Sequence, residues 1–123
     1  MFVKGHTYNR SEISSKVGGG VMDCLSHIGQ RVVAVCMKKE MNPEAPFKLL
    51  VGKGRDKERY SELLITEQKN EAIPIFVKVH SNEWEFCGHF RVASFSKELN
   101  VITKHERMAR RYDVYMIIHF DEV

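Results

Sequence analysis

Ile73 to Phe95 reads IPIFVKVHSNEWEFCGHFRVASF, and this stretch decides the fold. Ile73, Ile75, Val77 and Val79 fall on alternate positions, the period-two pattern of a strand with one buried face. Ser81-Asn82-Glu83 supplies a short reversal, and Trp84 to Phe95 returns as the partner strand. Strict alternation along the returning strand places Trp84, Phe86, Phe90 and Val92 on one face, and Glu85, Cys87, His89 and Arg91 on the other. Gly88 inside the strand signals a bulge, a bend or a close backbone approach.

Working outward, Arg31 to Lys38 (RVVAVCMK) is β-branched and apolar, the composition of a buried strand. Asn42-Pro43-Glu44-Ala45-Pro46 forms a loop, because proline removes donors and restricts its neighbours. A strand resumes from Phe47 to Val51, and Gly52-Lys53-Gly54 turns the chain. Asp56 is positioned to cap a helix running to about Lys69, with Tyr60, Leu63, Leu64 and Glu67 at helical spacing. Near the start, Asn9-Arg10-Ser11-Glu12 resembles a capping box. Ile13 and Val17 then share a helical face, and Gly18-Gly19-Gly20 ends the helix, which spans Arg10 to Val17. Residues 21 to 30 read as loop, and Asp113 to Phe120 (DVYMIIHF) as another buried strand. The order is roughly β-α-β-β-α-β-β-β. It predicts a single α+β domain over residues 1–123, a strongly curved, barrel-like, mostly antiparallel sheet with two flanking helices.

The 123 residues suit one domain, and 43% apolar with 28% charged residues is an ordinary globular balance. Three cysteines, an odd number at irregular spacing, fit a reducing compartment. The longest apolar run, Val32 to Met37, is far too short for a bilayer, and the first residues carry no apolar signal region. A cytoplasmic protein without membrane association is therefore expected. The net charge of +3 permits nucleic-acid binding without demanding it. Its distribution says more than its total. Lys53, Arg55, Lys57 and Arg59 form one basic cluster, Lys104, Arg107, Arg110 and Arg111 another, while Asp121-Glu122 is acidic.

No phosphate-binding G-x-x-x-x-G-K-[ST], G-x-S-x-G or H-E-x-x-H motif occurs. Cys24 with His27, and Cys87 with His89, are mixed and irregular pairs, unlike the knuckles of a structural zinc site. The expectation is neither metal, nor cofactor, nor enzyme of a motif-defined class. The suggestive constellation is aromatic plus basic. Tyr8, Asn9 and Arg10 precede the first helix, Trp84 and Phe86 open the hairpin's second strand, and His89 and Arg91 continue it. Aromatic faces stack on bases, while Arg and Asn read base edges or phosphates. Trp84 is equally readable as pocket wall or as core.

The series Tyr8-Asn9-Arg10-Ser11-Glu12-Ile13, Gly18-Gly19, Asn42-Pro43-Glu44-Ala45-Pro46, Gly52-Lys53-Gly54, Ile73-Pro74-Ile75-Phe76 and Trp84 to Val92 resembles the small PUA/SRA-like domains that accompany HNH-type nucleases in modification-dependent restriction systems. The resemblance spans roughly Gly5 to Phe95. It implies a barrel-like sheet, and recognition of nucleic acid, DNA favoured, by taking a modified base out of the stack. Carried over by position, Tyr8, Arg10, Gly19, Trp84 and Arg91 would lie at or near the pocket. The basic clusters extend the expected interface to Lys53, Arg55, Arg110 and Arg111, with Asn9 and His89 beside the pocket. No HNH segment is present, so cleavage would fall to a separate nuclease or other effector protein. Two other readings stay open. One is a protein-interaction module using a sheet edge or the surfaces around Met37, Met41 and Met108. The other is a small hydrolase built on Glu85, Cys87 and His89. Which base or modification is read, DNA against RNA, and the oligomeric state are not decided by the residues.

Overall fold

The computed structural model describes all residues, 1–123. Its elements in chain order are β1 (Thr7–Tyr8), α1 (Arg10–Val17), β2 (Leu25–Ile28), β3 (Arg31–Met37), β4 (Lys48–Gly52), α2 (Arg55–Thr66), β5 (Ile73–His80), β6 (Glu83–Ser96), α3 (Leu99–Ala109) and β7 (Val114–Glu122). The strands form one curled sheet in the order β2-β3-β5-β6-β7-β4, with β1 added beside β6. The α+β class and the barrel-like curl agree with the sequence reading. Most pairings are antiparallel, as expected, and the one parallel pair, β3 with β5, makes the sheet mixed. Two details differ from the sequence reading. A third helix, α3, occupies residues the sequence reading left unassigned. And β2 forms within the expected loop of residues 21–30, where Leu25 and Ser26 pair with Val35 and Ala34.

Helix α1 starts and stops where its sequence dictates. The Asn9 side chain accepts from Glu12 N and the Glu12 carboxylate accepts from Asn9 N, while Gly18 closes the helix at φ 89°. For α2 the expected Asp56 cap is not used. The N-cap is Gly54, and its amide donates to the Glu58 carboxylate instead.

The core has three parts. The main cluster fills the concave side of the sheet and joins Val35, Met37, Leu49, Val51, Ile75, Phe90, Met116, Ile118 and Phe120 to Tyr60, Leu64 and Ile65 of α2. Helix α2 therefore lies inside the curl, not outside it. It touches β2, β3, β4 and β6, so it bridges the two edge strands where a closed barrel would pair them. Gln68, just past α2, is buried and acts as a surrogate strand. Its side chain accepts from Val32 N and donates to Val32 O, both at 2.8 Å. On the convex side α1 covers a second cluster, Ile13 with Ala34, Cys36, Phe76, Trp84 and Phe86. Helix α3 covers a third, Val101, Ile102 and Ala109 against Leu50, Val114 and Ile117.

Gly88 makes this two-sided arrangement possible. Its φ is +121°, a region that L side chains avoid. The β5–β6 register slips there, from Ile75 opposite Gly88 to Phe76 opposite Phe86. One extra residue on β6 inverts its alternation. Trp84 and Phe86 thus join the convex cluster, and Phe90 and Val92 the concave one. The expectation that all four share a face is corrected by this bulge.

Candidate functional site

The main cavity, about 670 Å³, opens at the seam between the edge strands β2 and β4. Its walls come from five places: the start of α1 (Arg10), the loop before β2 (Val21 to Cys24), β3 and the loop after it (Cys36, Lys38, Met41, Asn42), β4 with the first turns of α2 (Leu49 to Gly52, Asp56, Lys57, Tyr60), and the β5–β6 hairpin (Lys78, Asn82, Trp84). Arg111 closes one side. A volume of this size is within the range of small-molecule pockets, about 300–1,000 Å³.

Each buried wall residue is held by a specific contact. The Arg10 guanidinium lies 5.1 Å from the Trp84 ring centre, and its Nη2 donates to Gly20 O (3.2 Å) and Asp23 O (2.8 Å). Asn82, at the hairpin turn with φ 53°, accepts from Arg10 N through its side chain. One arginine thereby fastens the loop before β2 to α1 and to the hairpin. Arg10 Nε is buried without a hydrogen-bond partner. On the far side Arg111 forks onto the Asp113 carboxylate (2.8 and 3.2 Å) and donates through Nη1 to Met41 O and Leu50 O. The guanidinium beside Asp113 holds that carboxyl below its ordinary range. Asn42, also buried, accepts from Leu50 N and donates to Lys38 O. Between these clamps the His27 and Tyr60 rings stack at 3.6 Å and 16°. His27 Nδ1 faces Leu25 O at 2.8 Å, and Tyr60 Oη donates to Gly29 O.

The charge on the lining is uneven. Arg10, Lys38, Lys57, Lys78 and Arg111 face Asp23 and Asp56. The side chains of Lys38, Lys57, Asp23 and Asp56 make no hydrogen bond or ion pair within the protein, and the Lys78 ammonium lies 5.8 Å from the Trp84 ring centre. The two thiols in the wall are neutral, since burial pushes Cys24 up to about 11 and Cys36 up to about 12.

Of the residues picked out from sequence for the interface, Arg10, Trp84 and Arg111 are brought together on this cavity, with Lys57 of the first basic cluster. Trp84 is only 5% exposed, and Arg10 and Lys78 both lie against its ring, so it supports the wall and is core. The others stand elsewhere. Tyr8 packs edge-on against Phe2 and Phe76, with its hydroxyl accepting from Val3 N. Asn9 is the α1 cap. Gly19 lies so close to β2 and β3 that an added Cβ would collide with Ser26 Oγ and stand 2.9 Å from Val33 Cγ2. Lys53 and Arg55 are exposed at the β4–α2 turn. Arg110 ends α3 in the left-handed conformation, φ 55°. His89 and Arg91 are exposed outside the cavity; His89 sits against Phe86, and Arg91 Nε donates to Asn70 O.

The bulge at Gly88 also separates Cys87 from His89. Cys87 packs against the concave cluster, whereas the His89 ring meets Phe86 on the convex face. The shared strand face that would have paired them does not form. Burial raises the Cys87 thiol to about 11, far from an activated thiolate. No three His, Cys, Asp or Glu side chains converge in a way that could hold a metal ion. No helix is long and apolar enough to cross a membrane.

Sequence reading passed over Lys38, Lys78 and Asp23, took Asp56 only as a helix cap, and weighed His27 only as a metal ligand beside Cys24. Lys78 was accessible in principle. It sits opposite Trp84 in the hairpin register, so period-two counting from Trp84 through the turn places both on one face. The others converge through the sheet's curl, for which no local signal exists. Comparison with protein-family models, with curated proteins and with solved structures gives no match for this chain.

Proposed function

We propose that this chain is a nucleic-acid-binding module that takes a single nucleotide, extruded from its stack, into the cavity between β2 and β4. The observation that carries this reading is the lining itself. A cavity large enough for a nucleotide has five cationic side chains against two carboxylates, with an aromatic pair and apolar strand residues in its walls. Phosphate contacts need mobile cations at a rim, and Lys38 and Lys57 have no internal partner. Capture of a base needs flat apolar walls and a few fixed polar groups. Arg10 and Arg111 act as positioning residues, because their donors are committed to the loops that shape the mouth. The PUA/SRA-like resemblance and a role as a reader of modified DNA with a separate effector belong to the same proposal.

The test is fluorescence anisotropy with short labelled duplexes, unmodified and base-modified, and with single-stranded DNA and RNA, at low and physiological salt. Salt-sensitive binding that weakens in Lys38→Glu and Lys57→Glu supports the reading. Absence of binding to every probe at micromolar protein overturns it and leaves the chain as a protein-interaction module.

A further inference from the structure

One cation of the cavity is left unanswered by its surroundings. Arg10 is 8% exposed, yet no ion pair of the chain includes it. Buried charges are ordinarily paired, because taking a charge out of water is costly. A guanidinium carries five N–H donors. Nη2 spends its two on Gly20 O and Asp23 O. Nε is buried without a partner, and Nη1 makes no hydrogen bond within the protein. The Trp84 ring offsets part of the charge and leaves these donors without an oxygen acceptor. The rest of the lining does not supply the missing anion. Arg111 is neutralised by Asp113, whereas Lys38, Lys57 and Lys78 are in no ion pair. Against these three lysines and Arg10 stand only the carboxylates of Asp23 and Asp56, so the lining keeps a surplus of two positive charges. A phosphate monoester carries about −1.5 to −2 charges at pH 7 and three strong acceptor oxygens. A diester of a nucleic-acid backbone carries roughly one charge.

We infer that the cavity takes a phosphate monoester, with Arg10 as its anchor. Nη1 donates to a phosphate oxygen, and the charge of the ester answers the buried guanidinium. This goes beyond the proposed function, because an internal nucleotide extruded from its stack brings only diesters. It rests on that reading for the base that fills the rest of the cavity. A free nucleotide and the 5′ end of a strand both carry the monoester, and the same chemistry serves either.

The experiment uses the full chain at low salt. Calorimetric titration compares the four deoxynucleoside 5′-monophosphates with their nucleosides, and anisotropy compares one 3′-labelled single strand made with a 5′-phosphate and with a 5′-hydroxyl. The phosphorylated member of a pair is expected to bind about tenfold or more tighter, the effect of at least one charge-assisted hydrogen bond. A preference among the monomers identifies a free nucleotide as the source, and a preference confined to the strands identifies a strand end. Arg10→Gln removes the anchor. The double variant Lys57→Gln with Lys78→Gln removes the two surplus charges at side chains outside every ion pair, where folding is not at stake. Both are expected to bring the ratio close to one. A ratio unmoved by the double variant, or by a folded Arg10→Gln, overturns the inference. Binding of nucleic acid with no preference for phosphate in either pair overturns it as well and leaves the nucleic-acid reading intact. Monophosphates bound above nucleosides by a chain that binds no strand or duplex overturn that reading and leave this one. Failure to bind any probe overturns both.

Discussion

The guanidinium of Arg10 lies 5.1 Å from the centre of the Trp84 ring. The contact joins the first turn of α1 to the first residues of β6, elements more than seventy residues apart in the chain. Arg10 also holds Gly20 O and Asp23 O, and with Ser26 Oγ, which donates to Gly20 O, and Cys36 N, which donates to Cys24 O, it anchors the loop that forms one lip of the cavity to the sheet. At the lip itself Met22 is 87% exposed. An anchored base and an exposed apolar tip are thus set side by side.

Arg10→Ala removes two hydrogen bonds to backbone carbonyls and the packing over Trp84. A loss of about 1–3 kcal/mol in unfolding free energy is expected. Hydrogen exchange should accelerate at Val21 to Cys24 more than at β5. Uniform acceleration across the sheet, or none, would show that Arg10 does not organise the loop.

Trp84→Ala is expected to cost about 3–5 kcal/mol, the cavity penalty for a large buried ring. Trp84→Phe keeps part of the packing and should retain nucleic-acid affinity, because the ring is 5% exposed with Arg10 and Lys78 lying against it. Strong loss of affinity in a stably folded Trp84→Phe chain would place the ring back at the binding surface.

Gly88→Ala meets two obstacles, the +121° φ and the Glu122 carboxylate 2.8 Å from the new Cβ. Destabilisation beyond about 1 kcal/mol is expected by denaturant titration. Gly20→Ala, whose nearest neighbour would be 3.4 Å away, is the mild comparison. Equal midpoints for the two variants would refute the bulge as the cause.

The thiols make a pH prediction. Burial raises the folded-state values of Cys24, Cys36 and Cys87 to about 11, 12 and 11 from an ordinary 9.0. Folding therefore favours the protonated thiols. This contribution is fully present below pH 9 and is lost as pH rises from there towards 11–12. Stability should fall over that alkaline window, and less so in Cys36→Ala, where one buried thiol is gone. At pH 8 native protein should react with a thiol reagent far more slowly than unfolded protein. Rapid native labelling would contradict the burial.

At the acidic end Asp113 works in the other direction. Arg111 beside it lowers its pKa from the ordinary 3.8, so its ion pair stabilises the folded chain above that value and is lost as pH falls below it. Asp113→Asn should flatten the acid limb of the stability curve, and an unchanged limb would show that the pair is inert.

Much of the architecture was legible in the residues because it rests on local rules. The capping box of Asn9 and Glu12 and the Gly18 stop bounded α1 correctly, since both act through backbone groups within a turn. The alternation of Ile73, Ile75 and Val77 gave β5 its concave face. Helix α3 escaped notice because it is amphipathic but weakly marked. Its N-cap, Glu98, makes no capping hydrogen bond, and Leu99 is exposed at its first position. The basic residues Lys104, Arg107 and Arg110 drew attention to charge instead of to the apolar spacing of Val101, Ile102 and Ala109.

By itself the sequence determined the α+β class, the hairpin of β5 and β6, the limits of α1, and the presence of a special backbone position at Gly88. These depend on period, capping and φ preference, which act within a few residues. Only the tertiary structure decided which way β6 faces on either side of its bulge, that α2 lies inside the curl, and that the seam between β2 and β4 gathers Arg10, Lys38, Asp56 and Arg111 around one cavity. A single inserted residue inverts a strand's faces, and the meeting of two distant edge strands depends on the summed twist of the sheet. Neither quantity is written in any short stretch of chain.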